Sequence, residues 1–187
     1  LDLSVLVGDM RQLLESAVAR RSTVEVSLAE DLPPIQGDVT QLSQVLLNLT
    51  TNASEAIGDG GGTIWIRTGL LAPPLETPQD WPGEPLPQGP TTFVEVEDDG
   101  CGMDVATRNK IFDPFFTTKF AGRGLGLAGA LGIVRRHAGA IEIYSDPGAG
   151  TRFRLLFPAM EAPTATVHVP PSPGSNWRGF GAVLVVD

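Results

Sequence analysis

The chain has 187 residues, 42% hydrophobic and 19% charged, a balance that supports a packed core and excludes global disorder. Its 13 Lys+Arg against 22 Asp+Glu leave a net charge of −9, which argues against a surface built to coat nucleic acid, so no nucleic-acid partner is expected. A single cysteine, Cys101, excludes an internal disulfide and a Cys-cluster zinc site, and two histidines, His137 and His168, are too few and too separated for a His-based metal centre.

In chain order, Leu6, Met10, Leu13, Leu14 and Ala17 recur at helical spacing and predict an amphipathic helix over 4–20. Val24, Val26 and Leu28 alternate, which predicts a strand over 23–28. Asp38 is placed to cap a long helix over 39–57. Strands are expected over 63–71 and 91–98. The stretch between them, 72–90, holds seven of the 16 prolines and is too long for an ordinary hairpin turn, so it reads as an insert. Asp104 is placed to cap a short helix to about Phe112, and Leu127, Leu131 and Val134 predict a helix over 125–137. A hairpin of 140–144 and 151–157 turns around Asp146-Pro147-Gly148; its second strand should bury Thr151, Phe153, Leu155 and Phe157 and expose Arg152 and Arg154. Five prolines within 158–178 read as an exit linker. The sum is an α+β fold, a two-layer sandwich of a mixed, mostly antiparallel sheet against helices.

No run of about 18 apolar residues is present, and the start lacks the basic and apolar regions of a signal peptide. Without an initiator Met the chain reads as a piece of something longer, with no membrane segment of its own and a cytoplasmic setting, the parent being either soluble or membrane-anchored.

Three constellations carry chemistry. On the long helix, Gln41, Gln44, Asn48, Asn52 and Glu55 form one polar stripe beside the apolar face of Leu42, Val45, Leu46, Leu49, Ala53, Ala56 and Ile57. Two carboxamides one turn apart can offer an oxygen to Mg²⁺ while leaving room for phosphate oxygens in its shell; the plainer alternative is a solvated helix face. In Phe93-Val94-Glu95-Val96-Glu97-Asp98, period two puts Asp98 on the face of Val94 and Val96, with Glu95 and Glu97 on the other. A carboxylate at the end of a core-facing row is costly unless it meets a donor, such as a ligand amino group. Gly100 and Gly102 follow and permit close backbone approach, although an ordinary strand-to-turn exit would look similar. Finally, Gly122-Arg123-Gly124-Leu125-Gly126-Leu127 runs into a helix, where backbone N–H groups and the helix dipole favour an anion and Lys119 and Arg123 add charge. The overlapping Gly124-Leu125-Gly126-Leu127-Ala128-Gly129 matches the dinucleotide fingerprint by letter only, because no strand directly precedes it, and no P-loop motif exists.

The order of these pieces resembles the N, G1, F and G2 boxes of sensor histidine kinases: Asn48-x-x-x-Asn52, Asp98-x-Gly100-x-Gly102, Phe112 to Phe116, and Gly122-x-Gly124-x-Gly126. The chain is similar over 1–158 to their catalytic ATP-binding domain, of the GHKL superfamily, including the closing Gly148-Ala149-Gly150-Thr151-Arg152-Phe153. The resemblance implies ATP and Mg²⁺ as ligands. It implies that Asp98 accepts from the adenine amino group and that Gly100 and Gly102 shape the pocket, with Met103, Ile111 and Leu125 among its walls. Thr151 would reach adenine through a water, Asn52 would ligate Mg²⁺, and Asn48 would stand beside it at the phosphates. A lid over 111–124 would be anchored by phenylalanines including Phe112, with Lys119 or Arg123 at the γ-phosphate, Gly122, Gly124 and Gly126 on the phosphates, and Leu127 in the site. Asn48, Lys119 and Arg123 would be the catalytic contributors.

Some members carry a Lys three residues after the second N-box Asn, where this chain has Glu55. The acceptor histidine of such kinases lies on a separate dimerisation domain, an implied partner, with a receiver domain or response regulator as the other. His137 is expected to be structural at a helix C-terminus, where a positive charge would suit the dipole. The final Gly181-Ala182-Val183-Leu184-Val185-Val186-Asp187 resembles the first strand of a receiver domain, which divides the chain into a catalytic domain (1–158), a linker (159–178) and a truncated receiver (179–187) of a hybrid kinase. Three alternatives stay open: a GHKL ATPase, although those place a water-activating Glu where Asn48 stands; a non-catalytic nucleotide-sensing module; and a serine kinase of the anti-sigma type.

Overall fold

The computed structural model describes residues 1–72, 89–118 and 124–160. The elements run α1 (Leu3–Ser16), β1 (Thr23–Ser27), α2 (Val39–Ile57), β2 (Thr63–Leu71), β3 (Thr91–Asp98), α3 (Val105–Arg108), α4 (Gly126–Arg136), β4 (Ala140–Ser145) and β5 (Thr151–Pro158). Five strands form one sheet in the order β1-β2-β3-β5-β4. Among the described residues only β1 and β2 pair in parallel; the other pairings are antiparallel. This is the expected α+β sandwich with a mixed, mostly antiparallel sheet.

The helices lie on one face of the sheet. Ile64, Ile66, Val94, Val96, Phe153, Leu155 and Phe157 of the strands meet Leu6, Met10, Leu14, Leu42, Leu46 and Leu49 of the helices in one buried cluster. Aspartates cap three of the four α-helices among the described residues: Asp2, Asp38 and Asp104 each accept backbone N–H bonds from the first turn. Asp38 is tied in twice. Its carboxylate accepts from Gln41 N–H at 2.8 Å, and its own N–H donates to His137 Nε2 at 2.9 Å, linking the start of α2 to the end of α4. Asp38→Ala removes the carboxylate bond and is expected to cost about 1 kcal/mol, or about 2–4 °C in melting temperature, measurable by thermal denaturation.

That contact also revises the role of His137. An Nε2 that accepts from a backbone N–H holds a lone pair, so the proton sits on Nδ1, 2.8 Å from the Ile133 carbonyl. The residue is structural, as expected, but serves as a neutral bridge between two helices and not as a charge on the dipole.

Several element boundaries differ from the periodicity by a residue at an end, and three of the differences have a clear cause. The first helix stops at Ser16, because the chain peels away to α2, where Ser54 Oγ accepts from Ala19 N–H at 3.0 Å. The helix after Asp104 has a single turn and gives way to turns before Asp113-Pro114, since a residue preceding proline disfavours helix. The last strand runs one residue further, to Pro158, and buries Leu156 on the outer face as well as the expected inward residues.

That outer face is not simply solvated. Register places Arg67, Glu95, Arg154 and Glu142 in one row across β2, β3, β5 and β4. Glu95 is 3% exposed at its centre, held by Arg67 at 2.9 Å and Arg154 at 2.7 Å. Arg67 also pairs with Glu97. Arg154 lies over the Phe93 ring and Arg152 over the Tyr144 ring. The arginines expected to be exposed are thus half-buried, enclosing a carboxylate.

Candidate functional site

The C-terminal half of α2, the loop after β3, the N-terminus of α4 and the start of β5 surround a cavity of about 490 Å³. Eleven of the residues singled out from sequence line it: Asn48, Asn52, Asp98, Gly102, Met103, Ile111, Gly124, Leu125, Gly126, Leu127 and Thr151. Two others do not. Gly100 stands behind the wall, where a Cβ would lie 2.6 Å from the Ala56 backbone. Phe112 packs on the main core cluster, and Phe116 lines the cavity in its place. Lys119, Gly122 and Arg123 lie outside the described residues, as do most of the 72–90 insert, the linker beyond residue 160, His168 and the 179–187 segment.

Asp98 closes the floor at the end of β3, 5% exposed. Its Oδ1 accepts from Gly100 N–H at 2.9 Å. Burial pushes the carboxyl up to about 6; the Gly100 and Thr151 backbone N–H groups pull against that, and the nearby charges of Asp99 and Glu97 add to it. Thr151 pairs directly with Asp98 across the β3–β5 ladder, and Ser145 pairs with Thr151 across β5–β4, so the three side chains form one row on the inner face. This floor offers acceptors to a ligand that brings donors.

The opposite end has the reverse polarity. Leu125, the N-cap position of α4, makes no side-chain capping bond, so the first-turn N–H groups of this helix are left to another partner. Asn48 lies against them: a Cβ on Gly126 would sit 2.6 Å from Asn48 Oδ1. Its Nδ2 is buried and has no hydrogen-bond partner among the described residues. An orphaned amide donor beside an uncapped helix N-terminus fits a phosphate oxygen. Asn52 lines the cavity one turn further along α2. Among the described residues no group of three or more His, Cys, Asp or Glu could hold a metal ion. A Mg²⁺ shared with a ligand fits this donor set, an amide oxygen coming from the chain and further oxygens from phosphates and water.

Sequence reasoning passed over several lining residues: Thr51, Ala53, Ala56, Cys101, Thr107, Thr117, Thr118 and Phe153, and Glu55 as a wall residue. Glu55 already belongs to the polar stripe, and Thr51 precedes Asn52 on the helix, so extending the stripe by one position finds it too. Period two already turns Phe153 inward with Thr151, whereas Thr107 carries no signal of its own, because only the packing of α3 turns it to the cavity.

A floor of acceptors thus faces an uncapped helix end across one cavity. The family model described as histidine kinase-, DNA gyrase B- and HSP90-like ATPase matches residues 37–161, and the chain belongs to that family. Among curated relatives, the sensor kinase CckA of Brucella abortus is 33% identical over the whole chain, and the signal transduction histidine-protein kinase AtoS of Escherichia coli is 39% identical over 83% of it. The chain spans 20% of the former and 23% of the latter. Among solved structures, the nucleotide-free catalytic domain of the histidine kinase ThkA superposes with a TM-score of 0.65 at 27% identity, covering 85% of this chain and 93% of that one. Among the described residues no helix is long and apolar enough to cross a membrane.

Proposed function

We propose that this domain binds ATP·Mg²⁺ and presents the γ-phosphoryl group to a histidine on a separate dimerisation domain of a two-component sensor kinase. The observation that carries this reading is the polarity of this cavity: a buried carboxylate at one end, and an orphaned carboxamide with an uncapped helix N-terminus at the other. Asp98 accepts from the adenine amino group, Thr151 reaches the ring through a water, and Met103, Ile111 and Leu125 cover the ring faces. Asn48 and the backbone N–H groups at Gly124 and Gly126 hold phosphate oxygens. Asn52 gives its oxygen to Mg²⁺, which when bound neutralises phosphate charge. Lys119, Gly122 and Arg123 complete the phosphate site, with Lys119 and Arg123 at the γ-phosphate. Catalysis by these residues is positioning and charge neutralisation.

The acceptor histidine, a receiver domain or response regulator as the next partner, the hybrid architecture and a cytoplasmic setting all belong to this proposal. The match to CckA, which runs the full length of the chain, supports continuity of the parent beyond the catalytic domain. A water-activating ATPase is disfavoured because Asn48, unlike a carboxylate, cannot take a proton from water. The test is a titration with ATP, with and without Mg²⁺, followed by addition of the parent's histidine-bearing domain. Mg²⁺-dependent binding, little hydrolysis alone and phosphate appearing on histidine are expected. Binding without transfer would favour a nucleotide-sensing module, and rapid hydrolysis by the isolated domain would favour the ATPase.

A further inference from the structure

Ser145 lies behind the cavity floor, 8% exposed, and its single oxygen makes three polar contacts. Met103 N–H approaches it at 2.8 Å, the Gly150 carbonyl lies at 3.0 Å, and Thr151 Oγ1 lies at 3.0 Å. A hydroxyl has one proton and two lone pairs. The Gly150 carbonyl can only accept, so it takes the Ser145 proton. Met103 N–H can only donate, so it fills one lone pair. The remaining lone pair can engage Thr151 only if Thr151 donates. The Thr151 proton is then spent on Ser145, and Thr151 turns lone pairs alone to the cavity, which it lines beside Asp98.

We propose that Ser145 sets the purine preference of the site: by taking the Thr151 proton it makes the whole base-facing floor an acceptor. This rests on the adenine reading above. A 6-aminopurine brings an amino donor to Asp98, and a bridging water can give one proton to Thr151 and the other to the ring nitrogen. A 6-oxopurine brings an oxygen to Asp98 and an N–H where the water must donate, so both polarities are wrong. Ser145 touches no ligand and is a positioning residue.

The test compares ATP and ITP affinities by calorimetry on the wild type, Ser145→Ala, Ser145→Thr, Thr151→Val and the Ser145→Ala/Thr151→Val double variant. Ser145→Ala frees the Thr151 proton, so the ITP:ATP ratio of dissociation constants should fall about fivefold or more. Ser145→Thr, which keeps a hydroxyl, should restore it. In the Thr151→Val background the Ser145 change should leave the ratio where it was, since no proton remains to orient. Equal weakening of both nucleotides by Ser145→Ala, or the same shift with and without Thr151, would overturn the inference and leave Ser145 a packing residue. Should Ser145→Ala fail to fold, Ser145→Cys, a weak donor and acceptor, is read in its place with the same expectation. A folded wild type that binds neither nucleotide would instead sink the adenine reading itself.

Discussion

Asp98→Asn is expected to strengthen the nucleotide-free protein at neutral pH while weakening ATP. Folding raises the carboxyl from 3.8 to about 6, chiefly by burial. The folded state therefore binds this proton more readily than the unfolded chain. The contribution of Asp98 to stability is complete below pH 3.8 and is lost as the pH rises through about 6. The shift corresponds to about 3 kcal/mol, and screening by water in the cavity reduces it to on the order of 1–2 kcal/mol. An amide of the same shape carries no such cost, so the variant should melt several degrees higher at pH 7.5 and no higher near pH 4.

Binding should move the other way. The amide presents an N–H₂ or an uncharged oxygen where the adenine amino group needs a charged acceptor, a loss of about 1–3 kcal/mol, or roughly 5–150-fold in affinity. Adenosine, which lacks titrating phosphates, isolates the same group in the wild type: its affinity should decline below pH 6, as protonation of Asp98 competes with it. Calorimetry and melting curves on the two proteins read both effects. A variant that melts lower than wild type at pH 7.5 and binds ATP unchanged would contradict the assignment.

Gly102→Ala is expected to have a large effect on stability. Gly102 has φ +64 and faces the turn between β4 and β5 so closely that a Cβ would lie 1.9 Å from the Asp146 carbonyl oxygen. Below it, Gly148 N–H donates to the Cys101 carbonyl at 2.8 Å, so loop and turn are fixed to each other. An alanine must adopt a left-handed conformation and also displace backbone, at a cost of about 3 kcal/mol or more. Gly148 supplies the control: its φ is +77, yet nothing lies within 4 Å of its Cβ direction, so Gly148→Ala should cost only about 1–2 kcal/mol. Denaturant unfolding of the two variants separates crowding from backbone strain, and equal losses would show that the close approach carries no weight. Because Gly102 also lines the cavity, Gly102→Ala should weaken nucleotide as well.

Much of this architecture was legible before any coordinates. Period two placed Asp98 inward with Val94 and Val96, and that is where it lies, because burial of two valines fixes the register of the third inward side chain. The two carboxamides on α2 reached the cavity because 3.6-residue spacing puts Asn48 and Asn52 on one side of a well-capped helix. Other features were silent for a physical reason. Periodicity says which way Glu95 points but not what it meets: its arginines come from β2 and β5, 28 and 59 residues away along the chain. The local hairpin of β4 and β5 was readable from its turn, but not that β5 would dock on β3 and put Thr151 beside Asp98. Nor did anything in Ala17-Val18-Ala19 mark the end of α1, since the stop comes from Ser54 of another helix. The Ser145 contacts need two strands, their turn and the loop after β3 assembled before one hydroxyl can link them.

The most direct measurement is a crystal structure of the domain with a non-hydrolysable ATP analogue and Mg²⁺. The adenine amino nitrogen should lie about 3 Å from an Asp98 carboxylate oxygen, with phosphate oxygens at Asn48 Nδ2 and the backbone of Gly126. An analogue bound with its base elsewhere, leaving Asp98 to water, would contradict the account.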